Sequence, residues 1–172
     1  DRIVLRQADL TRLPFADGEF QYIICWGVLM HVPNLDAALR QLARVLAPGG
    51  VMIISESNVH SLEAFGFLFL RRLTGRGRAR VVNVPAGRES FEQTPQGELV
   101  TRQTDMRWMR EAAGKLGLRL RTRRAGQFSE LYTLAPWQWL RRAIHAFNNA
   151  WFRFVKWPGP AFGNFLVFEK EL

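Results

Sequence analysis

Runs of apolar residues change their rhythm along this chain, and each rhythm predicts an element. Phe20 to Trp26 is an almost unbroken apolar run rich in Ile and aromatics, the pattern of a parallel strand buried on both faces. Leu35, Leu39, Leu42, Val45 and Leu46 then recur at helical spacing, with Arg40, Gln41 and Arg44 elsewhere on the wheel. Asn34 suits the N-cap of that helix and Asp36 its first turn, and Pro48-Gly49-Gly50 stops it and turns the chain into a second buried strand, Val51 to Ser55. Upstream, Ile3 to Leu5 reads as a short strand that ends in an acid-bearing loop at Asp9, and Leu13-Pro14-Phe15 and Ala16-Asp17-Gly18 make a turn-rich connection.

After Glu56 the rhythm loosens. Leu62 to Leu73 is apolar almost all round and gives way to a basic stretch with Arg71, Arg72, Arg76, Arg78 and Arg80. The run through Pro85, Gly87, Pro95 and Gly97 shows no clear period and is expected to be a long loop, so 58–103 reads as an insertion or lid. A helix resumes from Thr104 with Met106, Met109, Ala113 and Leu116 on one face and Gly117 as its C′ residue. Leu118, Leu120 and Thr122 then alternate with Arg119, Arg121 and Arg123, as in a half-exposed strand. Trp137, Leu140, Ile144, Phe147, Trp151 and Phe154 return at three- and four-residue steps, opposite Arg141, Arg142, His145, Asn148, Asn149, Arg153 and Lys156, with Phe152 the one intruder. That predicts a strongly amphipathic helix, an insertion at 132–160, broken by Pro158-Gly159-Pro160 and followed by a last apolar strand, Phe162 to Phe168. Strands alternating with helices give an α/β fold, and 172 residues are most simply one domain.

Composition narrows the setting. A net charge of +9 favours an anionic partner: nucleic acid, a membrane surface or an acidic substrate. The single cysteine, Cys25, excludes a disulfide framework and suits a reducing, cytoplasmic setting. The longest apolar run, Ala64 to Leu70, is far short of the roughly 20 residues that span a bilayer. No metal-ligand cluster stands out, and no metal is expected.

In order and residue type, Asp9 to Ser55, with Leu13-Pro14-Phe15 and Arg44-Val45-Leu46-Ala47-Pro48-Gly49-Gly50, resembles the middle of a class I S-adenosylmethionine-dependent methyltransferase of the small-molecule type. The resemblance implies a Rossmann-like sheet of strand order 3-2-1-4-5-7-6, N-terminally truncated here, with helical insertions after the fifth and sixth family strands. The family's glycine-rich cofactor loop finds no counterpart, so a single partial domain, residues 1–172, weak in cofactor binding by itself, is the expectation. Gln21 also stands where the family usually has Asp.

The resemblance further implies S-adenosylmethionine as cofactor, with Asp9 near the adenine amino group and Leu10 offering its backbone amide. The backbone carbonyls at Trp26 and Gly27 would receive the methionine ammonium, since glycine permits close approach. From the residues alone Asp9 also reads as a turn cap. His31 stands where the family often places a histidine; it reads either as a general base or as a loop-fixing side chain bonded to backbone. Methyl transfer can proceed by positioning alone, so a base is not required.

The insertions must choose the acceptor, and their Trp, Phe, Arg and Lys content suggests a small or lipid-like molecule reached from a membrane surface. The competing expectation is that both segments cover the sheet. A non-enzymatic protein that binds membrane or anionic partners on a decayed methyltransferase fold is the alternative function. Nucleic-acid methylation ranks lower, because the strand exit Cys25-Trp26-Gly27-Val28 differs from the Asn/Asp-Pro-Pro-aromatic string of such enzymes.

Overall fold

The computed structural model of the protein describes residues 3–74, 80–95 and 97–172. Two sheets organise it. The first has four strands: β1 (Phe20–Trp26), β2 (Leu46–Ser57), β6 (Leu118–Gln127) and β7 (Gly163–Lys170), in the order β1-β2-β7-β6. β1 and β2 are parallel, and β7 runs antiparallel between β2 and β6. This order is the 4-5-7-6 half of the expected family sheet. The second sheet is a meander of β3 (Arg80–Val84), β4 (Gly87–Thr94) and β5 (Gly97–Thr104).

Helix α1 (Leu35–Val45) forms as its spacing predicts, and the Asn34 side chain accepts from Ala37 N at 3.0 Å. It buries Leu35, Leu39, Leu42 and Val45, each contributing about 1.5–3 kcal/mol by leaving water. Their partners are Met52 and Ile54 of β2, Leu166 and Phe168 of β7, and Met109 of α3 (Met106–Gly114), which Asp105 caps through Arg107 N and Trp108 N. α1 ends before Pro48: the pairing jumps from Phe20–Leu46 to Tyr22–Val51, so Pro48-Gly49-Gly50 loops out at the start of β2. A Cβ on Gly50 would stand 2.8 Å from Ala47 O, so no larger residue fits the loop without movement.

Arg44 ties that loop region to the preceding one. Its guanidinium donates to Leu13 O, Phe15 O and Gln41 Oε1 and pairs with Asp17 at 2.6 Å. The two most recognisable strings of the sequence thus meet, because one arginine satisfies the carbonyls of the other.

Three expectations are corrected. Ile3 to Leu5 is not a strand but exposed coil, since no neighbouring strand pairs its amides among the described residues. β1 is buried on one face: Cys25 is inside, but Tyr22, Ile24 and Trp26 are 78%, 67% and 66% exposed, because the helices that pack on this sheet, α1 and α3, lie on its other side. The segment without a period is the β3–β5 meander, preceded by α2 (Leu62–Thr74). β3 and β4 are partly exposed on both faces, and the buried face of β5 carries the polar Arg102 and Thr104 beside Val100, so apolar alternation is weak. Gly87 is required there: its φ is +138°, and a Cβ would stand 2.1 Å from Gln103 O. β6 is the half-exposed strand expected, with Leu118, Leu120 and Thr122 more buried than Arg119 and Arg121, and two register shifts, Leu120/Thr122 and Ala125/Gln127, accompany Arg123 donating to Asn164 at 2.7 Å. Burial pulls the pKa of that guanidinium below its usual value.

The amphipathic segment forms α4 (Gln138–Ala150), continued by a wider turn over Trp151–Val155 and closed by Lys156 at φ +60°. Asn148 anchors it: Oδ1 accepts from Phe128 N and Ser129 N, and Nδ2 donates to Ser129 O. Arg76 and Arg78 lie outside the described residues, as do the side chains of Arg71 and Arg72.

Candidate functional site

Parallel strands leave their carboxyl-end loops together at one edge of a sheet, and ligands bind there. At the carboxyl ends of β1 and β2 lies a cavity of about 340 Å³, lined among others by Trp26, Gly27, Glu56, Glu130, Asn149 and Phe165. Gly27 leaves β1 at φ +61°, its N–H donating to Ser55 O at 3.1 Å. No atom stands within 4 Å of where a Cβ would be, so its backbone is open to a ligand. Trp26 packs at 4.9 Å, ring to ring, on Phe165 of β7.

The sequence-derived site residues divide. Trp26 and Gly27 line this cavity; Asp9, Leu10 and His31 lie outside its lining. Asp9 sits in exposed coil, where Oδ1 accepts from Thr11 N and Thr11 Oγ1, both at 2.8 Å. Those bonds, the backbone one first, lower its pKa. Leu10 is half-buried against the main core. His31 ends a short 3-10 turn, Leu29–His31, and its Nδ1 lies 2.8 Å from Val100 O on β5. A carbonyl only accepts, so Nδ1 carries the proton and the neutral ring keeps its lone pair on Nε2.

Sequence reasoning missed Glu56. It is 3% exposed; Oε2 accepts from Thr104 Oγ1 at 3.2 Å, while Oε1 has no hydrogen-bond partner among the described residues. Burial pushes its pKa up to about 7, offset in part by Thr104, the Arg102 guanidinium and the nearby N–H groups of Met30 and Leu29. The signal was present as an acid at the end of an apolar strand, but only packing shows it to be buried. Arg102, 1% exposed, is the second missed residue. From β5 it donates to Leu29 O, Val32 O and Pro33 O and pairs with Glu89 at 2.5 Å, so the meander holds the loop that leaves β1. Among the described residues no cluster of three metal-ligating side chains occurs.

A second, larger cavity of about 560 Å³ opens between α2 and α4, lined by Leu62, Phe67, Phe128, Leu131, Ile144 and Phe147 among others. One stretch of chain walls both spaces: Gly126, Gln127 and Glu130 face the first, and Phe128, Ser129 and Leu131 the second. Glu130 N donates to Glu63 of α2 at 2.9 Å, and burial followed by Glu63 raises the Glu130 pKa.

Known proteins agree with this architecture. The methyltransferase-domain family matches residues 1–54. A S-adenosylmethionine-dependent methyltransferase from Methanosarcina mazei superposes with a TM-score of 0.56 at 14% identity, over 96% of this chain and 66% of that one. The fold is that of a Rossmann-like class I methyltransferase. Another such protein, from Mesorhizobium loti, gives 0.55 at 14% identity, over 96% and 68% of the two chains. The [4+2]-cyclase SpnF gives 0.53 at 17% identity, over 97% and 56%. Among curated proteins, demethylmenaquinone methyltransferase of Mycolicibacterium vanbaalenii is 32% identical over 128 residues, 67% of this chain and 56% of its own. Methyltransferase GfsG of Streptomyces halstedii is 33% identical over 93 residues, 50% of this chain and 33% of its own. The chain thus spans between a third and just over half of these two relatives.

Proposed function

We propose that the protein takes part in S-adenosylmethionine-dependent methyl transfer to a small or lipid-like acceptor. The observation that carries the reading is the cavity at the carboxyl ends of β1 and β2, to which Trp26, Gly27 and Met30, within the residues 1–54 that match a methyltransferase domain, contribute one wall. The residues fit the cofactor's methionine end: an accessible glycine backbone beside Trp26, with the Glu130 carboxylate in the same lining. Trp26 and Gly27 are assigned to the ammonium, and Asp9 and Leu10 to the adenine edge, which requires the exposed Asp9 turn to lie along the bound cofactor.

When bound, the cofactor supplies a sulfonium methyl, whose carbon–sulfur bond breaks as the acceptor–carbon bond forms. The chain's own contribution is to orient the acceptor and exclude water. His31 serves as base for an acceptor that must lose a proton: with Nδ1 donating to Val100 O, Nε2 is the ring nitrogen left to take it. It acts on an acceptor standing outside the cavity lining, beside the Leu29–His31 turn. The apolar space between α2 and α4 supports an acceptor with a hydrocarbon part, as the name of the demethylmenaquinone relative suggests. The lone buried Cys25 suits a reducing, cytoplasmic setting.

Calorimetric titration of the natural gene product with S-adenosylmethionine tests the reading. Binding at one site, weakened about tenfold by Asp9→Ala through loss of one hydrogen bond to a charged acceptor, supports it. Absence of binding by the unaltered protein overturns it.

A further inference from the structure

Helix α4 is apolar along one side, yet that side is not buried. On that side Trp137 is 59% exposed, Phe147 48% and, in the following turn, Phe154 75%; Trp139, off that side and 66% exposed, stacks on Trp137 with the rings 6.1 Å apart. On α2, Leu62 and Phe67, 62% and 41% exposed, line the 560 Å³ groove, and Phe65 and Phe69, 72% and 57% exposed, lie outside that lining. Two neighbouring helices therefore offer water a broad apolar surface with an apolar trough between them, far more than scattered surface residues require. No helix among the described residues is long and apolar enough to cross a membrane, so this surface belongs to a partner that is met rather than traversed.

Charge selects that partner. From Leu131 to Phe168 the chain carries Arg141, Arg142, Arg153 and Lys156 and no acidic residue. All four are exposed on the side of the segment opposite its apolar residues, the arrangement of a helix lying in an interface, and the Arg153 guanidinium reaches to 5.5 Å from the Phe154 ring centre. From Ala64 to Arg88 the sequence again holds several arginines and no acid. Trp and Phe partition into the headgroup layer while Arg and Lys keep their charge at its surface.

We propose that α2, α4 and the Trp151–Val155 turn form a docking surface for an anionic phospholipid bilayer, with acyl chain or acceptor tail entering the groove between the two helices. An oligonucleotide would satisfy the charge but would leave the trough of Leu62, Leu131 and Ile144 unfilled. The surface requires neither cofactor nor turnover, so it stands or falls apart from the methyl-transfer reading.

The test is co-sedimentation of the protein, without cofactor, with vesicles of phosphatidylcholine alone or with 30% phosphatidylglycerol (roughly the anionic load that such attraction needs). Binding is expected to anionic vesicles and to fall with salt. The double variant Arg142→Gln/Arg153→Gln should lower partitioning about 30-fold, the equivalent of ~1 kcal/mol for each charge. Trp139→Ala/Phe154→Ala should lower it at least tenfold, and both pairs, being exposed, should leave the circular dichroism spectrum unchanged. Equal binding to neutral and anionic vesicles, no binding, or full binding by the folded double variants would each overturn the proposal. So would salt-sensitive binding to a single-stranded oligonucleotide, lost in Arg142→Gln/Arg153→Gln, without vesicle binding.

Discussion

Replacing Glu56 by Gln should stabilise the protein in a pH-dependent way. The carboxyl is buried, with one oxygen bonded to Thr104 and the other without a hydrogen-bond partner among the described residues, and burial raises its pKa from the ordinary 4.5 to about 7. In the unfolded chain it titrates near 4.5, so between the two values the folded state holds the extra proton. Stability from this group is therefore full below about pH 4.5, falls as pH rises, and is lost above about pH 7. A shift of that size corresponds to about 3 kcal/mol.

Gln keeps an oxygen for Thr104 and never ionises. Parent and variant should be alike at pH 4.5 and diverge steadily above it. Urea unfolding followed by circular dichroism between pH 4.5 and 8 reads the difference, and the other titrating groups cancel because both proteins carry them. The variant should be more stable at pH 8 by about 2–3 kcal/mol. Parallel stability profiles, or a variant less stable at pH 8, would refute the reasoning: the ionised carboxylate would then be held favourably by Arg102 and the Leu29 and Met30 amides.

Arg102→Ala removes a buried cation from three carbonyls and from Glu89 and leaves that acid half-buried without its partner. It should cost about 3–5 kcal/mol in urea unfolding; a loss below about 1 kcal/mol would mean that the meander holds the 29–33 loop by other contacts. Cys25 is buried, and burial together with Glu56 pushes its thiol up to about 11. Iodoacetamide at pH 8 should label the unfolded protein at least 100-fold faster than the folded one, and similar rates would show the β1 face opening readily.

Local chemistry made some elements legible before folding. α1 follows from its apolar spacing and Asn34, α3 from Met106, Met109 and Ala113, and β2 and β7 from apolar runs bounded by glycine and proline. These signals lie within one turn or strand, so the sequence displays them directly. The order β1-β2-β7-β6 was legible through family likeness, not through period. The β3–β5 meander was hidden because β3 and β4 are partly exposed on both faces and β5 buries polar residues, Arg102 and Thr104, on its inner one, which leaves little apolar alternation to read.

What remained belonged to tertiary structure. A strand needs a neighbour, so Ile3 to Leu5 could not be judged from its own residues. Periodicity showed that α4 has an apolar side but not whether anything covers it; that depends on where α2 and the Gly126–Leu131 wall stand. Glu56 reads in sequence as one more acid after a strand. Its burial arises when β5, far along the chain, brings Thr104 and Arg102 against it, and desolvation is a property of what surrounds a group rather than of the group itself.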